Sequence, residues 1–121
     1  MRQKRPAFSK QEVLSAVPVR NERVHWDLND EGEVVLHIPR RQDRLGRILN
    51  RIFAAPEHRR LVLDELGSQV WQLCDGEHSV EMIIRSLART HKLSRREVEL
   101  SLSVYLKQLA QRQLVGLVLR R

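Results

Sequence analysis

Leu63-Asp64-Glu65-Leu66-Gly67-Ser68-Gln69-Val70-Trp71-Gln72-Leu73-Cys74-Asp75-Gly76-Glu77-His78-Ser79-Val80-Glu81-Met82-Ile83-Ile84 packs four structural signals into 22 residues. Leu63-Asp64 ends a short β-prone run. From Asp64 or Glu65 to Cys74, the apolar residues Leu66, Val70, Trp71 and Leu73 recur at helical spacing. Asp75-Gly76 stops that helix, since glycine enters the left-handed region at little cost. Ser79 is an N-cap for a second helix, whose Val80, Ile83 and Ile84 begin a new apolar stripe.

Toward the C-terminus the second helix continues through Leu87 to about His91. Only His91 to Leu93 separate it from Ser94-Arg95-Arg96-Glu97, a capping-box pattern in which hydroxyl and carboxylate satisfy exposed backbone N–H groups. The third helix is predicted to reach about Arg112. A short apolar tail, Leu114 to Leu119, reads as a further strand on the bundle. The tight link between the second and third helices is that of a helix-turn-helix.

Toward the N-terminus, His58-Arg59-Arg60-Leu61-Val62-Leu63 reads as a third strand. Before it, Asp43 to Phe53 carries Leu45, Ile48, Leu49, Ile52 and Phe53 at helical spacing, with Asp43 as cap and Pro56 as terminator. Earlier still, Val24, Trp26 and Leu28 alternate with Arg23, His25 and Asp27, and Val34, Leu36 and Ile38 alternate in turn. Matching the apolar faces sets a hairpin register: Val24 opposite Ile38, Trp26 opposite Leu36, Leu28 opposite Val34. The connection is then Asn29 to Glu33, and His25 faces His37. Residues 1–21 hold Pro6 and Pro18 and read as a basic arm, partly mobile and weakly docked. Within it, Ser9 caps a turn or two built on Phe8, Val13, Leu14 and Val17. The order β-β-(α)-β-α-α-α-β implies an α+β, winged-helix-like architecture. Residues 22–121 would form one domain, with 39–58 a helical insertion between the second and third strands.

At 121 residues the chain has room for one core, and with aromatics at 4% that core must be aliphatic. No apolar run approaches the roughly 20 residues of a membrane span. The basic start is followed by no apolar segment of secretory type. A single cysteine excludes an intramolecular disulfide, so a reducing, cytoplasmic setting is expected. The net charge of +7 is uneven: 13 Lys/Arg against 8 Asp/Glu up to Val62, and 9 against 7 from Leu63. Such a surface attracts nucleic acid, anionic lipid or acidic polypeptide alike.

Catalytic chemistry finds no support. The histidines (His25, His37, His58, His78, His91) lie in separate segments without metal-ligand spacing. His25 and His37 could share a metal across the hairpin, but no third ligand is evident. Cys74 ends an apolar helix beside Asp75, whose charge disfavours a thiolate, so it reads as a buried structural thiol. There is no glycine-rich phosphate loop. Neither cofactor, metal nor catalytic residue is expected.

The third helix carries more than a core stripe. Val98, Leu102, Tyr105, Leu106 and Leu109 share one sector, while Leu100 and Val104 fall on another with Glu97, Ser101, Gln108 and Gln111. That second face either packs under the hairpin or the Arg44–Phe53 segment, or forms one wall of a peptide groove. The third strand, Arg59-Arg60-Leu61-Val62-Leu63, would be the other wall, accepting an added strand and favouring acidic peptides through its arginines.

The residues 63–84 resemble the PqqD family, named for pyrroloquinoline quinone synthesis protein D. Its pattern appears here as Leu63-Asp64, Trp71 to Gly76, and Ser79-Val80 with Ile83; Leu109, Arg112 and Leu114 match its closing Leu-x-x-Arg-x-Leu. The likeness spans about Arg59 to Leu117, and the hairpin fits the family's opening strands. It implies a RiPP recognition element, which binds the leader of a ribosomally made precursor peptide and presents it to a modifying enzyme, a radical SAM enzyme being one candidate. Carried over by position, the leader would contact Arg59 to Leu63 and the Glu97, Leu100, Ser101, Val104, Gln108 face. The 39–58 segment is longer than the family's and reads as helical. It could cover the strand edge, dock the enzyme or hold a homodimer. Two rivals remain at this stage. A DNA-binding winged helix would use Arg95 and Arg96, although Glu97 and Glu99 beside them weigh against nucleic acid. A structural adaptor of an enzyme complex is the other.

Overall fold

The structure, a computed structural model, describes residues 9–39 and 58–119. Its elements in chain order are α1 (Lys10–Ser15), β1 (Val17–Arg20), β2 (His25–Leu28), β3 (Val34–Pro39), β4 (His58–Val62), α2 (Glu65–Leu73), α3 (Val80–His91), α4 (Arg95–Gln111) and β5 (Val115–Val118). The fold class is α+β, as expected. The predicted Asp43–Phe53 helix, and with it the interior of the 39–58 insertion, lies outside the described residues. The chain divides into two compact units, Glu22–Ser68 and the remainder, and it passes from one to the other within α2.

The Glu22–Ser68 unit is a three-stranded antiparallel sheet ordered β2-β3-β4. The hairpin register agrees with the sequence at His25 opposite His37, Trp26 opposite Leu36 and Leu28 opposite Val34. Asn29 makes the turn: its Oδ1 accepts from Glu31 N (3.1 Å) and Glu33 N (2.8 Å), and Gly32 takes φ +79°. Period-2 alternation fails in two places. Val35, expected to face water, is buried with Val34 and Leu36, while Leu28, expected inside, is 53% exposed. The difference follows position in the sheet: among the described residues β3 is the central strand, with a neighbour on each side, whereas β2 has one neighbour only. Ser68 is a buried polar residue of this unit. Its hydroxyl donates to Leu63 O (3.1 Å) and accepts from Val34 N (2.8 Å), joining both strand ends to α2.

The other unit holds α1, β1, the C-terminal part of α2, α3, α4 and β5. Ser79 caps α3 through Met82 N, and Ser94 with Glu97 forms the expected capping box on α4. Ser9 and Glu12 form another on α1. Trp71, Ile83, Leu87, Val98 and Leu102 are at most 1% exposed and centre the core. Residues 9–21 depart from the weakly docked arm. Val17–Arg20 pair antiparallel with β5, Val17 opposite Val118 and Arg20 opposite Val115. Ala16, Val17 and Pro18 are buried. Gly76 N donates to Pro18 O (3.1 Å), Val80 N to Ala16 O (2.9 Å) and Arg20 N to Cys74 O (2.9 Å). Two prolines in a mixed stretch masked a strand whose partner lies nearly a hundred residues away.

Candidate peptide-binding surfaces

β4 is an edge strand among the described residues, with β3 on one side only. Its register is Ile38 opposite Arg59, His37 opposite Arg60, Leu36 opposite Leu61 and Val35 opposite Val62. Leu63 N donates to Val34 O at 2.8 Å, continuing the ladder. In an antiparallel pair the residues that bond their partner alternate with those that do not. Leu63, Leu61 and Arg59 therefore turn their backbone groups toward β3, and Arg60 and Val62 turn theirs outward. No described residue bonds those outward groups. Of the side chains, Arg60 is exposed, Val62 is 49% exposed, Leu61 is half-buried and Leu63 is buried. Arg60 makes no hydrogen bond or ion pair with any described residue.

On α4, Leu100 and Val104 are 60% and 57% exposed. With Ser101, Tyr105 and Gln108 they line a shallow depression of about 490 Å³. The core stripe opposite holds as read at Val98, Leu102, Leu106 and Leu109, all buried, while Tyr105 is only half-buried. Of the candidate residues on this helix, Leu100, Ser101, Val104 and Gln108 come together and Glu97 does not join them. Its backbone N bonds Ser94 Oγ (3.2 Å) and its carboxylate accepts from Ser94 N (3.3 Å), so it is occupied as the cap. The spacing Ser94-x-x-Glu97 already carried that signal. The strand candidates belong to the Glu22–Ser68 unit and the helix candidates to the other.

Arg95, a candidate for reading phosphate, is engaged elsewhere. Its Nη1 donates to Glu81 Oε2 and its Nε to Glu99 Oε1, each at 2.7 Å. Hydrogen bonds from Arg95 hold the Glu81 carboxyl down to about 2, with Arg85 adding to the effect. Cys74 is fully buried, and burial pushes its thiol up to about 12. Nearby Arg20 opposes that shift and Asp75 adds to it. His25 faces His37 as expected, with His37 Nε2 3.3 Å from Asp27 Oδ2. Among the described residues no group of three or more His, Cys, Asp or Glu side chains could hold a metal ion. No helix among them is long and apolar enough to cross a membrane.

A second concavity escaped the sequence reading. Val13 and Leu14 of α1, Val80 and Ile84 of α3, Leu102 and Leu106 of α4 and Leu117 of β5 line an apolar cleft of about 410 Å³, rimmed by Lys10, Glu99 and Lys107. The residues before Arg23 offered no strand signal that would have brought α1 and β5 to one place.

Among the described residues the chain thus offers a sheet whose last strand has one neighbour and a capped helix with a second, exposed apolar face. The model of the PqqD family, described as coenzyme PQQ synthesis protein D, matches residues 33–115, most of the chain, and the chain belongs to that family. Comparison with curated proteins and with solved structures gave no match. The family match begins after β2, so α1, β1 and β2 precede it.

Proposed function

We propose that the chain is a non-catalytic recognition protein in the biosynthesis of a peptide-derived natural product. It binds the leader of a ribosomally made precursor peptide and presents it to a modifying enzyme, for which a radical SAM enzyme is a candidate. The leader adds to β4 as a further strand, and Leu100, Ser101, Val104 and Gln108 on α4 offer a second contact surface. Membership of the PqqD family supports a part in such a pathway. The observation that carries the reading is β4 itself, where the outward backbone groups of Arg60 and Val62 are unbonded among the described residues. Such an edge is a template for strand addition, in which main-chain bonds supply affinity and side chains supply selectivity. The reading needs no metal, cofactor or nucleic acid, and the engagement of Arg95 by Glu81 and Glu99 argues against phosphate recognition by α4.

The test is amide chemical-shift mapping of the full chain with the leader of its cognate precursor peptide, sought among the short reading frames that neighbour its gene. Perturbations along His58–Leu63 and at Leu100, Ser101, Val104 and Gln108 are expected. Perturbations confined to residues 43–53, or none at all with that peptide, would overturn the reading.

A further inference from the structure

Residues paired across neighbouring strands project to the same face of a sheet, so the register of the three strands extends past their edge. His25, His37 and Arg60 are successive partners on β2, β3 and β4 and form one row. Asp27, Val35 and Val62 form the adjacent row on the same face, and Trp26, Leu36 and Leu61 form the intervening row on the other face. A strand bonded to the outward backbone groups of Arg60 and Val62 must place one side chain at the end of each row. The first row ends in an exposed guanidinium that has no partner among the described residues, with two imidazoles behind it. The other two end in Val62, 49% exposed, and in half-buried Leu61.

From these row ends we infer that the bound segment carries an acidic residue opposite Arg60 and aliphatic residues opposite Leu61 and Val62. This inference rests on strand addition at β4. It assigns the three positions different work: Arg60 selects by charge, while Leu61 and Val62 select by apolar contact. The sequence order follows from strand direction. An antiparallel segment reads aliphatic-aliphatic-acidic, and a parallel one reads acidic-aliphatic-aliphatic.

Two synthetic peptides test it, one with a Val-Leu-Glu centre and one with Glu-Leu-Val, each also made with Gln or Lys in place of Glu. In one order, the Glu peptide is expected to shift the β4 amides and to bind about twofold to fivefold more tightly than its Gln form, the range of a cross-strand charge pair. The Lys form should bind more weakly than either. Arg60→Glu should invert that ranking, and Arg60→Lys should keep it. Equal binding of the Glu, Gln and Lys forms at β4, or a ranking indifferent to Arg60→Glu, overturns the charge assignment and leaves strand addition standing. If none of the peptides shifts the β4 amides, the row-end assignment falls. Strand addition itself then fails only if the precursor peptide leaves those amides unmoved as well.

Discussion

Cys74 has a thiol in the wall of a packed core, and its chemistry follows from that placement. Taking a thiolate out of water is so unfavourable that burial dominates, even though Arg20 lies near enough to oppose it. Arg20 is instead committed to the end of α2, where its Nη1 donates to the carbonyls of Trp71 (3.0 Å) and Gln72 (2.9 Å) in the last turn. The folded-state thiol titrates near 12 against an ordinary 9.0. A group whose proton is held more tightly in the folded state contributes its full stability below pH 9 and loses it as the pH rises toward 12. Wild type is therefore expected to lose stability over that window by up to about 1.4 kcal/mol per pH unit more than Cys74→Ala. Urea unfolding of both proteins at pH 8 to 11 measures it, and parallel curves would show that the thiol does not titrate in this way. The inert thiol was legible from Cys74-Asp75 in an apolar helix end. The part played by Arg20 was not, because that residue fell in a stretch without periodicity.

Between elements, the start of α3 is fastened to the start of α4 by Glu81, Arg95 and Glu99, with Arg85 also on Glu81 (2.9 Å). Both helices were legible to within a residue or two, because Ser79, Ser94 and Glu97 mark their starts and the apolar stripes give their length. The fastening was not, since Glu81 and Arg95 are 14 residues apart and belong to different helical periods. It changes the meaning of Arg95 from a free cation on a would-be recognition helix to a paired one. Glu81 has its carboxyl held near 2 against an ordinary 4.5, so its contribution is present above pH 4.5 and disappears as the pH falls toward 2. Glu81→Gln is expected to melt below wild type at pH 7, and the gap should close as both are acidified through that window. Thermal melts at pH 7, 4.5, 3.5 and 2.5 follow it; a gap that stays constant would mean the carboxylate's charge is not what joins the helices.

At the scale of the whole molecule, sequence and structure part company over residues 9–21. The strands and helices from His25 onward were legible because each has a local signal: a turn at Asn29–Gly32, a cap at Ser79, a stop at Gly76 with φ +83°. The candidate surfaces inherited that legibility, since β4 follows from a short β-prone run and the second face of α4 from helical period. What selects Arg60 and Val62 from their neighbours is the pairing of β4 with β3, which composition does not disclose. β1 has no local signal at all: Pro18 interrupts it, and its partners β5 and Asp75 are distant in sequence. A weakly docked arm would be dispensable, whereas a strand paired with β5 is expected to contribute stability. Removing residues 1–21 strips β5 of its partner strand and uncovers whatever Ala16, Val17 and Pro18 bury. Burial of a side chain such as Val17 is worth about 1.5–3 kcal/mol. The truncated chain is expected to lose more than about 3 kcal/mol, a large share of the stability of a domain this size. Val17→Asp in the intact chain should act in the same direction, because it sets a charge into the packed face while leaving every other residue in place. Urea midpoints of the two variants against wild type decide the matter. Unchanged midpoints in both would return residues 9–21 to the role of a dispensable arm, whereas a loss in the truncation alone would assign the effect to residues other than Val17.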